Sequence, residues 1–165
     1  MNLSLKAQGE DVLTGSAEVT DFRIFDEPRL NALVSSKSEG GASLNDAIQR
    51  EIDTREVVFD RASAQLTISP FRLDIKDGAI RGPLVGSTFR GTLYDKNDRM
   101  RIAGTFMPAY AANSLLSGIP ILGLVLGNGN DRALIGVTYL LEGDTKKPKI
   151  TVNPLSAIAP GVFRS

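Results

Sequence analysis

Apolar positions in this chain fall mostly at every second residue. Ala62, Ala64, Leu66 and Ile68 alternate with Ser63, Gln65, Thr67 and Ser69, the period of a strand with one face in a core and the other in water. Past Pro70 the alternation resumes, with Phe71, Leu73 and Ile75 set against Arg72, Asp74 and Lys76. Asp77-Gly78 predicts a hairpin turn, because both residues tolerate positive φ. Gly82-Pro83 predicts another break, then a strand over Val85–Tyr94 and a turn at Asp95-Lys96-Asn97-Asp98. Met100, Ile102, Gly104 and Phe106 next alternate with Arg99, Arg101 and Thr105. The last strands are expected at Ala133–Leu141 and Lys149–Asn153, parted by Gly143-Asp144-Thr145 and Pro148. Toward the N-terminus, Leu3–Gln8 and Ser16–Phe25 read as strands. The apolar parity slips between Val19 and Phe22, which predicts a bulge near Asp21.

Helical spacing is confined to short stretches. Leu30, Leu33 and Val34 share a stripe in Pro28–Val34. Ser43-Leu44-Asn45-Asp46 reads as a variant capping box, followed by a stripe of Leu44, Ala47, Ile48 and Ile52. A third helix is expected over Ala109–Ser117, between Pro108 and Gly118. These elements define a β-rich α+β fold: a curved, mostly antiparallel sheet of about eight or nine strands, with about two to four short helices on one side.

Composition changes this picture mainly by exclusion. A length of 165 residues suffices for one packed core, and 42% hydrophobic with 23% charged residues excludes wholesale disorder. Nineteen basic residues cancel nineteen acidic ones, so no net field attracts a nucleic acid. Cysteine and histidine are both absent. That removes disulfides, thiolate chemistry, the commonest metal ligand and the usual general base. Asp74, Asp77, Asp95 and Asp98 sit in or beside turns among Lys76, Lys96 and Arg99, as a solvated rim does. Asn128-Gly129-Asn130-Asp131 lacks the acid spacing and closing Glu of a calcium loop and reads as a turn. Gly78, Gly82, Gly86 and Gly91 precede no Gly-Lys-Ser/Thr, and no Gly-x-Ser-x-Gly is present. The residues therefore supply no catalytic, cofactor or metal site. Met1–Lys6 already alternates like a strand, where a secretory leader would carry a basic region followed by an apolar one.

Two apolar features invite a binding role. In Leu134–Leu141 both strand faces are apolar, so either a helix covers the second face or that face lines an apolar groove. The segment Ala111–Gly127 has only Asn113, Ser114 and Ser117 as polar side chains. Gly118-Ile119-Pro120 and Gly123 break it too often for one membrane-spanning helix. It reads as a pair of short buried helices or as an apolar lid or membrane contact through Ile119, Ile121, Leu122 and Leu124. Interfacial helices usually carry a basic face, and no Lys or Arg lies between Arg101 and Arg132. The one dense basic cluster, Lys146-Lys147-Pro148-Lys149, precedes a strand and suits edge protection or contact with anionic headgroups.

Gly104-Thr105-Phe106-Met107-Pro108-Ala109-Tyr110, the run Leu115–Gly123, Leu134–Tyr139 and Val152–Gly161 occur in this order. Together they resemble the C-terminal region of AsmA-like proteins, and most closely the large bacterial members that also carry a domain of unknown function. The resemblance covers 59–165; residues 1–58, read as strands and two short helices, match weakly. The resemblance implies one structural unit excised from a longer, inner-membrane-anchored, periplasm-facing protein. It further implies a non-enzymatic module, without cofactors, for phospholipid transport between inner and outer membranes and for envelope integrity. The family's long curled sheet is apolar on its concave side. On that pattern Leu66, Ile68, Phe89, Leu93, Ile102, Phe106, Ile135, Val137 and Tyr139 are the candidates for a lipid groove. The implied partners are phospholipid acyl chains, a neighbouring β-sheet of the same full-length protein, and a membrane or envelope-protein contact. The alternative is an envelope assembly module that binds outer-membrane protein segments through a sheet edge, without lipid cargo.

Overall fold

The computed structural model describes residues 1–36, 52–109 and 137–152. Eight strands form one sheet in chain order, each antiparallel to the next: β1 (Asn2–Ala7), β2 (Leu13–Phe25), β3 (Glu56–Ser69), β4 (Arg72–Arg81), β5 (Val85–Tyr94), β6 (Arg99–Pro108), β7 (Val137–Asp144) and β8 (Lys149–Val152). The sheet is curved and does not close, and among the described residues β1 and β8 are its edges. Among the described residues there is one helix, α1 (Pro28–Ser35). The expected helices over 43–52 and 109–117 lie almost entirely outside the described residues, as do the strand start at 133–136 and the turn at 128–131.

Strand pairing sorts the side chains into two faces, because residues opposite one another in an antiparallel ladder point the same way. One row crosses the whole sheet as Leu5, Gly15, Leu66, Ile75, Gly91, Ile102, Leu141 and Ile150, each paired with the next. Every member is apolar or glycine. The neighbouring row, on the other face, is Lys6, Thr14, Thr67, Asp74, Thr92, Arg101, Glu142 and Lys149, also paired throughout. Every member of that row is polar. The two-residue period read from single strands thus adds up to one apolar and one largely polar surface. Met107 and Leu140 lie on the otherwise polar face and are buried there.

The parity slip in β2 is present, but the bulge expected near Asp21 is not, because the β2–β3 register continues without a shift. Asp21 has φ 52°, yet Thr20 pairs with Arg61 and Phe22 with Phe59 in the same register. The slip is matched across the ladder: Thr20 and Asp21 are exposed in succession on β2, and Asp60 and Arg61 on β3. Both strands therefore turn over together and keep their apolar residues on one face. The Asp77-Gly78 turn is a correction, since β4 runs through both residues. Asp77 has φ 48°, and the β4–β5 register shifts between Ile75 and Gly78. The same tolerance of positive φ serves a bulge inside a strand as well as a hairpin end. Phe71 belongs to the β3–β4 turn rather than to the alternation, and it is largely exposed.

Helix α1 starts where its sequence directs. Pro28 occupies the first turn, where its missing N–H removes no bond, and the Glu27 carboxylate accepts the Arg29 N–H at 3.1 Å as N-cap. Leu30, Leu33 and Val34 point inward onto Val57, Phe59, Val85, Phe106 and Val137, with Ile52 completing the cluster. Phe22 stacks on Phe59, ring centroids 5.3 Å apart. The strand ends near Phe25, Glu56, Arg81, Val85 and Val137 lie together by pairing and form the end of the sheet that α1 covers.

Candidate functional site

Eight of the nine residues picked as groove candidates are described, and seven share the apolar face. Leu66 and Ile102 belong to the row of eight strands. Ile68 pairs with Leu73 on one side and Leu13 on the other. Phe89 and Tyr139 lie in the next row, Phe106 and Val137 in the row beneath α1. Leu93 sits at the β4–β5 register shift and is exposed. Ile135 and the lid candidates Ile119, Ile121, Leu122 and Leu124 lie outside the described residues. Alternation in β1, β4 and β8 also carries the signal for Leu5, Ile75 and Ile150, which with Leu141 of β7 complete the strip and were missed.

Glycines keep the middle of this face low. A row runs Gly78, Phe89, Gly104, Tyr139 and Val152 by pairing. A Cβ at Gly78 would lie 2.5 Å from the Phe89 ring, and one at Gly104 would lie 2.6 Å from the Tyr139 ring. Each aromatic ring therefore lies across the glycine of the adjacent strand instead of standing off the sheet. This is the close approach for which glycine is used in a strand.

Beneath α1 the apolar face forms an open cavity of about 330 Å³, at the lower end of the range for small-molecule sites. Ile24, Leu30, Leu33, Phe59, Ile80, Phe106, Leu141 and Ile150 supply most of its wall. Two polar pairs border it. Inside, the Ser87 and Tyr139 hydroxyls are 3.1 Å apart and share a hydrogen bond, and the Ser87 hydroxyl donates to the Thr88 carbonyl at 3.3 Å. Burial pushes the Tyr139 phenol above its ordinary value, with the Ser87 hydrogen bond opposing the shift. At the rim, Arg29 grips the Glu27 carboxylate through Nε and through Nη2, the latter at 3.0 Å, while Nη1 donates to the Pro148 carbonyl at 3.4 Å. The Arg29 hydrogen bond holds the Glu27 carboxyl below its usual range, and Glu27 raises Arg29 in turn.

Two further depressions, of about 400 and 680 Å³, lie on the polar face. Thr88, Arg90 and Thr105 line the first; Arg72, Asp74, Lys76 and Arg101 line the second. Asp74 is tied to Arg72 at 2.7 Å and accepts from Thr92 at 2.7 Å, contacts that lower its carboxyl, the Arg72 hydrogen bond most. Asp95 accepts the backbone N–H groups of Asn97 at 2.8 Å and Arg99 at 3.1 Å, the turn-bracing role expected of it. Among the described residues, no cluster of three potential metal ligands occurs, and no helix is long and apolar enough to cross a membrane.

The fold and this face define a class in structural terms: an open antiparallel meander with one apolar face, part of it roofed by a helix. No protein-family model, curated protein or solved structure matches the chain.

Proposed function

We propose that this domain binds phospholipid acyl chains along the apolar face of its sheet, without covalent chemistry. In this reading it is the periplasmic part of an inner-membrane-anchored AsmA-like protein that moves phospholipid between inner and outer membranes and supports envelope integrity. The observation that carries the reading is the row of apolar residues and glycines from Leu5 to Ile150 across all eight strands. Such a strip shields a hydrocarbon chain from water at ~0.8 kcal/mol per buried methylene and needs no reactive group. Because the stabilisation is non-directional, a chain can slide along the strip with little change in free energy. The adjoining polar row leaves the opposite surface compatible with water.

The test is to incubate the purified chain with phospholipid vesicles, re-isolate it and weigh it by native mass spectrometry. Retained phospholipid in the wild type, with loss on Leu66→Asp and Ile68→Asp at unchanged fold, is the expected result. A wild-type chain that emerges lipid-free, or variants that retain as much lipid as the wild type, refutes the reading. The β1 edge favours a second reading, the addition of an envelope-protein strand without lipid cargo, since Leu3 there is 56% exposed and one side of β1 has no neighbouring strand among the described residues. Bound peptide in place of lipid in the same spectrum would favour it.

A further inference from the structure

We propose that the Glu27–Arg29 pair at the rim of the cavity beneath α1 selects zwitterionic over anionic phospholipid headgroups. The inference rests on the acyl-chain reading of the apolar face and adds which headgroup the site prefers. The cavity wall offers a headgroup little else, since Ser87 and Tyr139 are engaged with one another. The rim pair reaches both cavity and water, with 36% of the Arg29 side chain and 29% of the Glu27 side chain exposed. Its formal charges sum to zero, and their positions are set by structure. Glu27 is held by capping the Arg29 N–H, and Arg29 by the carbonyl of Pro148, the residue before β8.

A headgroup with one phosphate and one ammonium presents the complementary pair. Its phosphate takes the outward N–H groups of the Arg29 fork while its ammonium meets the Glu27 carboxylate, so neither rim charge loses a partner. A headgroup with phosphate alone competes with Glu27 for Arg29 and brings no cation for the carboxylate it displaces. Lys146 and Lys147, exposed in the turn beside Pro148, attract any phosphate and do not discriminate.

The experiment uses equimolar phosphatidylethanolamine and phosphatidylglycerol vesicles, with native mass spectrometry of the re-isolated chain. The wild type is expected to retain the zwitterionic lipid in excess by up to about fivefold, the range of a part-exposed ion pair. Glu27→Gln keeps a cap oxygen for the Arg29 N–H but removes the negative charge, and the ratio should fall to one or invert toward phosphatidylglycerol. Arg29→Gln leaves the carboxylate unopposed and should lower retention of both lipids, phosphatidylglycerol more. Circular dichroism of each variant verifies the fold. Lipid retained in the vesicle ratio by the wild type, or an unchanged ratio in Glu27→Gln, overturns the headgroup proposal and leaves acyl-chain binding standing. No lipid retained by any form overturns both.

Discussion

Beneath α1, Phe59 and Val85 keep 2% and 1% of their accessible surface, whereas at the other end of the same sheet face Leu13 keeps 39%. Residue type does not separate the two regions, since both are aliphatic or aromatic positions on the same alternation. Cover separates them. At the upper end, Leu30, Leu33 and Val34 pack onto the sheet beside the cavity and bury Phe59, Val85, Phe106 and Val137 in one cluster. Along Leu13, Leu66, Ile68, Leu73 and Ile75 the same face is only half-buried or exposed. One end is therefore a packed core, and the other leaves apolar surface accessible to solvent, the surface on which the proposed lipid binding depends. Substitutions should be able to damage either property without the other.

The largest expected effect is at the covered end. Phe59→Ala should lower unfolding free energy by about 3–5 kcal/mol, because the ring leaves a cavity that its neighbours cannot refill. Ile68→Ala at the open end should cost about 1 kcal/mol or less, as solvent already reaches the site. Urea denaturation of both variants measures the contrast, and equal losses would abolish the distinction between the two ends.

Gly104→Ala comes next. A Cβ there would lie 2.3 Å from the Thr88 carbonyl oxygen and 2.6 Å from the Tyr139 ring, and overpacking of this kind costs about 1–3 kcal/mol. The displaced ring should also lose its hydroxyl contact with Ser87, which near-ultraviolet circular dichroism of a chain with three tyrosines can register. Leu66→Asp should leave stability within about 1 kcal/mol of wild type. Its expected consequence is in lipid retention, so a variant that unfolds would assign Leu66 to the core instead.

The smallest effect concerns pH. Glu27 titrates below its ordinary value of 4.5 in the folded chain, so the unfolded chain binds the proton more readily. The stabilisation is thus fully present above about that ordinary value and disappears as pH falls through the lowered one. At a part-exposed pair the loss should stay below about 1 kcal/mol. Acid titration of thermal stability should show a step in the wild type that is absent from Glu27→Gln.

The parts of the sheet that were legible in advance rest on local periodicity. Alternation at 62–69 and 99–106 shows in β3 and β6, and the Leu30, Leu33 and Val34 stripe in α1. Asp77-Gly78 misled because φ preference is the same for a turn and a bulge, and only the continuing ladder to β5 separates them. The slip at Asp21 was legible, but the matching slip at Asp60 and Arg61 was not. It takes the β2–β3 pairing to show that the two cancel.

By itself, the sequence determined that this chain is strand-rich, that its strands have an apolar and a polar side, and that the usual thiol and imidazole chemistry is absent. These are properties of residue type and short-range spacing. Tertiary structure alone decided that Leu5 and Ile150 end one apolar row, that α1 roofs one end of it, and that Arg29 meets the carbonyl of Pro148, 119 residues away. Register and helix placement come from burial and turn geometry summed over the whole chain, and no single strand's alternation contains them.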